Sequence, residues 1–328
     1  MKVLFIGGTG VISAACSELC IKKGFELHLL NRGESFRRSP KGSIHIQADI
    51  HDREDVRLCL KDQSYDAVVD WIAYVPEDVK RDYEFFRDKT SQYIFISSAS
   101  AYQKPPMVPL IESHPVYNPF WSYSNNKILC ENYLSEKFKR DEFPVTIVRP
   151  SHTYDRTKIP LHGGFTALNR LLNGKKMIIQ GDGTSLWTLT HHRDFAPGFV
   201  GLLGNQEAIG ETYHITSNEV LTWDQICLEL AGAAGVEPSI IHIPSDVIKK
   251  FDEEWGAGLL GDKAYSMVFD NSKIKKINPE FEPVIPFREG AKEMVDWHIS
   301  EKSSQKINSQ LDKTMDEIIA QFESVLIK

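Results

Sequence analysis

Near the start of the chain four consecutive apolar residues, Val3-Leu4-Phe5-Ile6, run directly into Gly7-Gly8-Thr9-Gly10, and an amphipathic segment follows. A short apolar run without alternation suits a strand buried on both faces, as at the centre of a parallel sheet. Glycine at 7 permits a tight turn. Glycine at 10 lets the amides of a helix N-terminus approach an anion. The order strand, glycine turn, helix is the context in which such a loop holds a pyrophosphate, with Thr9, Val11 and Ile12 as further loop contacts. Ser13 stands where a third glycine would let helix and strand pack closely; it is small, so the match is weakened rather than broken.

The first half of the chain repeats this alternation. Segments 3–6, 26–30, 43–47, 67–70, 93–97 and 145–148 read as strands separated by helical patterns, which implies a parallel sheet with right-handed crossovers. The expected fold is α/β: a Rossmann doubly wound parallel sheet over residues 1–160, with a smaller, mixed C-terminal substrate lobe over 161–328. Segments 176–180 and 211–216 are expected to return to the sheet. A helix is expected over 165–172. Beyond Thr222 several prolines break the chain into short, mostly helical pieces. The tail carries a helical stripe, Ile307, Leu311, Met315, Ile318, Ile319, Phe322, Val325 and Leu326, which reads as a helix packed on its own subunit.

Composition excludes several classes. With 328 residues, 41% hydrophobic and 25% charged, the chain can bury a large core without staples. A formal net charge of −7 argues against broad nucleic-acid binding. The five cysteines are scattered without a C-x-x-C pair, which reads as a reducing, cytoplasmic setting with no metal site built on them. No apolar stretch approaches the roughly 20 residues of a membrane span, and none at the start resembles a signal peptide. A homodimer is compatible with all of this.

The strand ends predict which residues face a bound dinucleotide. After the second strand the chain reads Leu30-Asn31-Arg32-Gly33, without the acidic residue that usually meets an unphosphorylated ribose. Arg32 is therefore expected to hold a 2′-phosphate, favouring NADP over NAD; its alternative is a solvated loop charge. Asp49 either binds an adenine amino group or serves as a helix cap before 52–60. Asn31, Ile50, Trp71 and Pro150 complete the expected cofactor wall.

The reacting end lies further along. Tyr123 and Lys127 sit four apart in a helical segment, 121–134, and so share one face. Free tyrosine and lysine have pKa values of about 10 and about 10.4, so a nearby ammonium and a cationic ring are needed to make the phenolate a base near neutrality. Ser97-Ser98-Ala99-Ser100 ends the fifth strand at the edge where open α/β sheets place ligands.

Together these residues resemble the extended short-chain dehydrogenases/reductases, the NAD-dependent epimerase/dehydratase family. The likeness spans nearly the whole chain: the glycine loop, Ser97-Ser98 before Tyr102, Tyr123 with Lys127, Arg149-Pro150 before Tyr154, Gly181-Asp182-Gly183 before His191 and Asp194, and Phe269-Asp270-Asn271-Ser272-Lys273. The resemblance implies that Ser98 orients the substrate hydroxyl, with Ser100 in reserve. Tyr123 becomes the acid/base, and Lys127 lowers its pKa and holds the cofactor ribose.

Departures from the family pattern bear on the substrate. Ala99-Ser100 stands where dehydratases carry Asp-Glu, which disfavours elimination. Trp187 stands where diphosphate-sugar enzymes tend to carry a clamping arginine, and His152 where they carry asparagine; an indole cannot neutralise phosphate as a guanidinium does. Arg193 or Arg156 is left to supply an anion contact, while the adjacent His191 and His192 are expected on opposite faces and form no metal site. These features point to a carbohydrate-like secondary alcohol as substrate. The Asn31-Arg32-Gly33 ending and the aromatic run around Trp71 also resemble the branch that includes chloroplast stem-loop RNA-binding proteins, so a nucleotide-sensing or RNA-binding module without catalysis is the competing expectation.

Overall fold

The computed structural model describes residues 1–326. β1 (Lys2–Ile6), α1 (Val11–Lys22), β2 (Glu26–Asn31), β3 (Ile44–Gln47), α2 (Arg53–Cys59), β4 (Ala67–Asp70), α3 (Pro76–Phe86), β5 (Tyr93–Ile96), α4 (Ser122–Asp141) and β6 (Val145–Pro150) alternate along the first half. They build a parallel sheet in the order β3-β2-β1-β4-β5-β6, joined at its far edge by a strand over Thr212–Ile215. The crossovers put helices on both faces, so β1, β4 and β5 are apolar without alternation because both of their faces are covered. One core cluster joins Val3, Phe5 and Leu29 to Phe195 and Phe199, and another joins Leu4 and Ile6 to Phe86, Phe95 and Leu134.

Beyond β6 the chain continues through β7 (His152–Tyr154), α5 (Phe165–Leu172), β8 (Lys176–Gln180), β9 (Leu186–Trp187), β10 (Leu189–His191), α6 (His192–Val200), β11 (Thr212–Ile215), β12 (Leu221–Thr222), α7 (Trp223–Ala234), β13 (Ser239–Ile243), α8 (Ser245–Lys249) and α9 (Glu253–Gly258). A π-helical turn, Leu259–Lys263, follows, then α10 (Ser272–Ile277), α11 (Phe287–Ser300) and α12 (Ser309–Leu326). The expectation for 211–216 holds, because β11 pairs in parallel with β6. That for 176–180 does not: β8 pairs instead with β13 in a separate two-stranded ribbon. A partner 63 residues downstream had no marker in the local pattern.

The tail forms α12 as expected. Met315, Ile318 and Ile319 bury against Ile243, Ile248, Trp255 and Leu259. Buried Arg170 anchors the same helix through Asp312 at 2.6 Å and Asp316 at 2.7 Å. The Val325 and Leu326 side chains of the stripe lie outside the described residues. Among the described residues, no helix is long and apolar enough to cross a membrane.

Candidate active site

The glycine loop has the geometry its spacing required. Gly7 and Gly8 take φ of +99° and +91°, and a Cβ on Gly8 would stand 2.6 Å from a Leu29 methyl. α1 starts at Val11 with Gly10 at the cap, no side-chain cap and no acidic residue in its first turn, so the positive end of the helix is open to an anion. Ser13 has a specific task, accepting the Gly10 N–H at 2.8 Å. Trp71 lies beside Gly7, and its Nε1 is buried with no protein acceptor. Gly7 to Ile12 thus fit a dinucleotide phosphate.

The second-strand end is more committed than the sequence suggested. Asn31 accepts the Gly33 N–H at 2.9 Å and contacts His45 at 2.7 Å, bracing the loop. Arg32 is exposed and pairs with Glu34 at 3.2 Å, so a carboxylate does stand near the expected phosphate ligand. Arg37 leaves this edge altogether to bond Asp155 at 2.8 Å and the Thr157 hydroxyl. Asp49 accepts the His51 N–H at 3.0 Å, and α2 is capped by Asp52 instead. Ile50 is buried in the core around β4.

Two of the three residues expected to react, Ser98 and Tyr123, line a cavity of about 700 Å³ outside the C-terminal ends of β5 and β6, and Lys127 lies behind them. Ser98, Ser100, Tyr123, Pro150, His152 and Trp187 all line it. Ser98 is the more exposed serine. Ser100 is buried, bonding Ser98 at 2.9 Å and accepting from Ser124 at 2.7 Å, so it braces the hydroxyl that faces the cavity. α4 carries Tyr123 and Lys127 on one face. Lys127 Nζ donates to the carbonyls of Ala73 at 2.6 Å and Ile96 at 2.7 Å and lies 5.8 Å from the centre of the Tyr123 ring. Burial holds the Lys127 ammonium down to about 8 and pushes the Tyr123 phenol up to about 12, against the opposing effect of the Ser98 hydroxyl. In the protein by itself the lysine therefore loses its proton before the tyrosine does.

Trp187 is buried and donates from Nε1 to His152 Nδ1 at 3.1 Å, so the two departures from the family pattern are partners. Burial, then the Lys263 and Lys158 charges, pushes His152 down to about 3, which keeps it a neutral acceptor. Arg193 does not line the cavity; it pairs with Glu293, as does His191. Arg156 is likewise absent from the lining. His191 and His192 are not on opposite faces: the strand ends between them, and their rings lie 4.7 Å apart.

Sequence reasoning missed the far wall. Trp121, Trp223, Trp255, His162, Asp262 and Lys263 also line the cavity, and His162 stacks on Trp255 at 4.2 Å. Four of the six tryptophans therefore face one cavity. Three of these four, Trp187, Trp223 and Trp255, fall in the C-terminal half, which was the trace available in the sequence.

A parallel sheet in this order, with a glycine loop at its first crossover, Ser98 after β5 and Tyr123 and Lys127 on α4, has the α/β architecture of the short-chain dehydrogenase type. The chain belongs to the NAD dependent epimerase/dehydratase family, whose profile matches residues 3–216. It is 28% identical over 256 residues to the chloroplast stem-loop binding protein of 41 kDa b of Arabidopsis thaliana, covering 74% of this chain and 65% of that protein. With UDP-glucose 4-epimerase of Lactobacillus helveticus it shares 31% identity over 169 residues, 45% of this chain and 51% of that enzyme. The chain thus spans between half and two thirds of the length of these two relatives. Among solved structures, UDP-glucuronic acid 4-epimerase from Bacillus cereus, in complex with UDP-glucuronic acid and NAD, superposes with a TM-score of 0.74 at 19% identity, covering 92% of this chain and 99% of that one.

Proposed function

We propose that the protein is an NAD(P)-linked oxidoreductase or epimerase acting on a secondary alcohol of a carbohydrate-like substrate, with Tyr123 as acid/base. The observation that carries this reading is the meeting of Ser98 and Tyr123, with Lys127 behind them, at one aromatic-walled cavity. A bound nicotinamide cofactor would supply the hydride acceptor or donor for the carbinol carbon. Tyr123 takes the hydroxyl proton, Ser98 holds the hydroxyl, and Lys127 supplies positive charge behind the phenol. Because burial pushes Tyr123 up to about 12, a further positive charge bound beside it would raise the phenolate population near neutral pH. Simple oxidation and epimerisation use the same residues. The aromatic walls suit stacking on a sugar ring.

Gly7, Thr9, Gly10, Val11 and Ile12 would hold the pyrophosphate, and Lys127 the ribose. Asn31, Arg32, Asp49, Ile50, Trp71 and Pro150 would form the remaining cofactor wall. Arg32 favours NADP, while Glu34 competes for its guanidinium. Tyr123→Phe tests the assignment: turnover should fall about 10²–10⁴-fold, the usual worth of general acid/base catalysis, with cofactor affinity nearly unchanged. Retention of more than about a tenth of the activity would remove Tyr123 from the role.

A second reading, an RNA-binding module, is favoured by the similarity to the chloroplast stem-loop binding protein. The net charge of −7 opposes it. Stem-loop RNA binding that weakens steeply from low to moderate salt would support it.

A further inference from the structure

Lys263 stands out on the cavity wall for what holds it and for what does not. It closes the π-helical turn Leu259–Lys263, a rare geometry that often marks a functional position. Three side chains fix its root: Trp223 Nε1, the Ser185 hydroxyl and Gln180 Nε2 all donate to the Lys263 carbonyl, at 3.1, 3.3 and 3.4 Å. The turn is also tied to the region of the reacting helix, because Asn118 Nδ2 donates both to the Gly261 carbonyl at 2.6 Å and to the Ser100 carbonyl at 2.8 Å. Despite this anchoring, among the described residues the Lys263 ammonium has no hydrogen-bond acceptor and no carboxylate within ion-pair distance. It rests over the Trp121 ring, 5.4 Å from its centre. Neighbouring Asp262 favours its charge only from beyond ion-pair distance and lies closer to buried Lys104, at 3.4 Å.

A half-buried ammonium, rooted at its backbone and outside any ion pair at a ligand cavity, has given up hydration that a bound anion would replace. The surroundings fit that purpose. Lys158 lines the same cavity, and both lysines help keep His152 neutral, with Lys263 acting likewise on His162. No arginine lines the cavity among the described residues, so the planar bidentate clamp that suits a diphosphate is missing. Trp121 is the common neighbour of the two ends, since its ring lies 4.8 Å from that of Tyr123. A reacting hydroxyl at Tyr123 and an anion at Lys263 are thus separated by one indole.

We infer that Lys263, assisted by Lys158, is the anion-binding residue of this cavity, and that the substrate is a compact sugar-like alcohol bearing one carboxylate or monophosphate. This rests on the reading of the cavity as the substrate site, and deepens it. Calorimetric titration of the full chain, saturated with NAD or NADP, against D-glucuronate, glucose 6-phosphate, glucose and UDP-glucose tests it. At least one of the two sugars carrying a single anionic group should bind ten- to a hundredfold more tightly than glucose, the range of a charge-assisted hydrogen bond. The carboxylate and phosphate probes separate the two anion types. Lys263→Gln should erase the preference and Lys263→Arg should largely restore it, with unchanged far-ultraviolet circular dichroism and cofactor affinity. Equal binding of anionic and neutral sugars, no saturable binding of either anionic sugar, tightest binding of UDP-glucose, or a preference that survives Lys263→Gln would overturn the inference. Repeating the titrations in Tyr123→Phe separates the two ideas: an anion preference that persists there supports the Lys263 site whatever becomes of the assigned chemistry.

Discussion

Replacing Lys127 with methionine asks whether the reacting lysine is held in place at a cost to the fold. The side chain is almost fully buried, and burial holds its ammonium down to about 8. An unfolded lysine titrates near 10.4, so the folded protein binds this proton about two units less tightly. Between these values the unfolded state carries more protons, and stability must rise as pH rises. Below the folded value the buried charge opposes folding in full; above the unfolded value the penalty is gone. Integrated from pH 7 to pH 10, the linkage gives about 2–3 kcal/mol of relative gain for the wild type. At pH 7 the variant sheds the charge but also loses the hydrogen bonds to Ala73 and Ile96, each worth about 1 kcal/mol, so the absolute difference there is not diagnostic. Urea unfolding of wild type and Lys127→Met at both pH values measures the double difference, in which the other titrating groups cancel. The wild type should gain relative to the variant as pH rises, while the variant should be catalytically inactive at both. A difference that stays flat within about 0.5 kcal/mol, against the expected 2–3, would refute the reasoning. The expected result would show a stability penalty retained for function.

Further outcomes follow from the same geometry. Ser98→Ala should cut turnover far more than Ser100→Ala, because Ser98 faces the cavity and Ser100 braces it; steady-state kinetics giving the reverse order would exchange their roles. Glu131→Ala should destabilise the fold by about 3–5 kcal/mol in denaturant unfolding, since it strands the buried Arg149 guanidinium that bonds Glu131 at 2.9 and 2.6 Å. Arg32→Ala should weaken NADP binding more than NAD binding, and Glu34→Gln should strengthen NADP selectively; equal effects on both cofactors in calorimetry would remove Arg32 as a phosphate ligand.

The positions of β1, the glycine loop and the Tyr123/Lys127 pair were legible in the linear chain because each is a local pattern. An unbroken apolar run needs two covered faces, a turn at positive φ needs glycine, and a four-residue spacing on a helix puts two side chains on one face. Even the expectation for 211–216 needed only the rule that parallel strands add at a sheet edge. Partnerships between distant segments were a different matter. β8 met β13, Arg32 found Glu34, and Trp187 gave its N–H to His152, each through a choice among many chemically similar partners that periodicity does not rank. The clearest case is Lys263: one lysine among many in the sequence, it became a fixed, unpaired charge only when Trp223, Ser185 and Gln180 converged on its carbonyl and Asp262 was drawn off by Lys104. Sequence determined where the chain is strand, turn and helix, because those preferences act over a few residues; tertiary structure decided which charges stayed unpaired, because that depends on what every distant segment brings within reach.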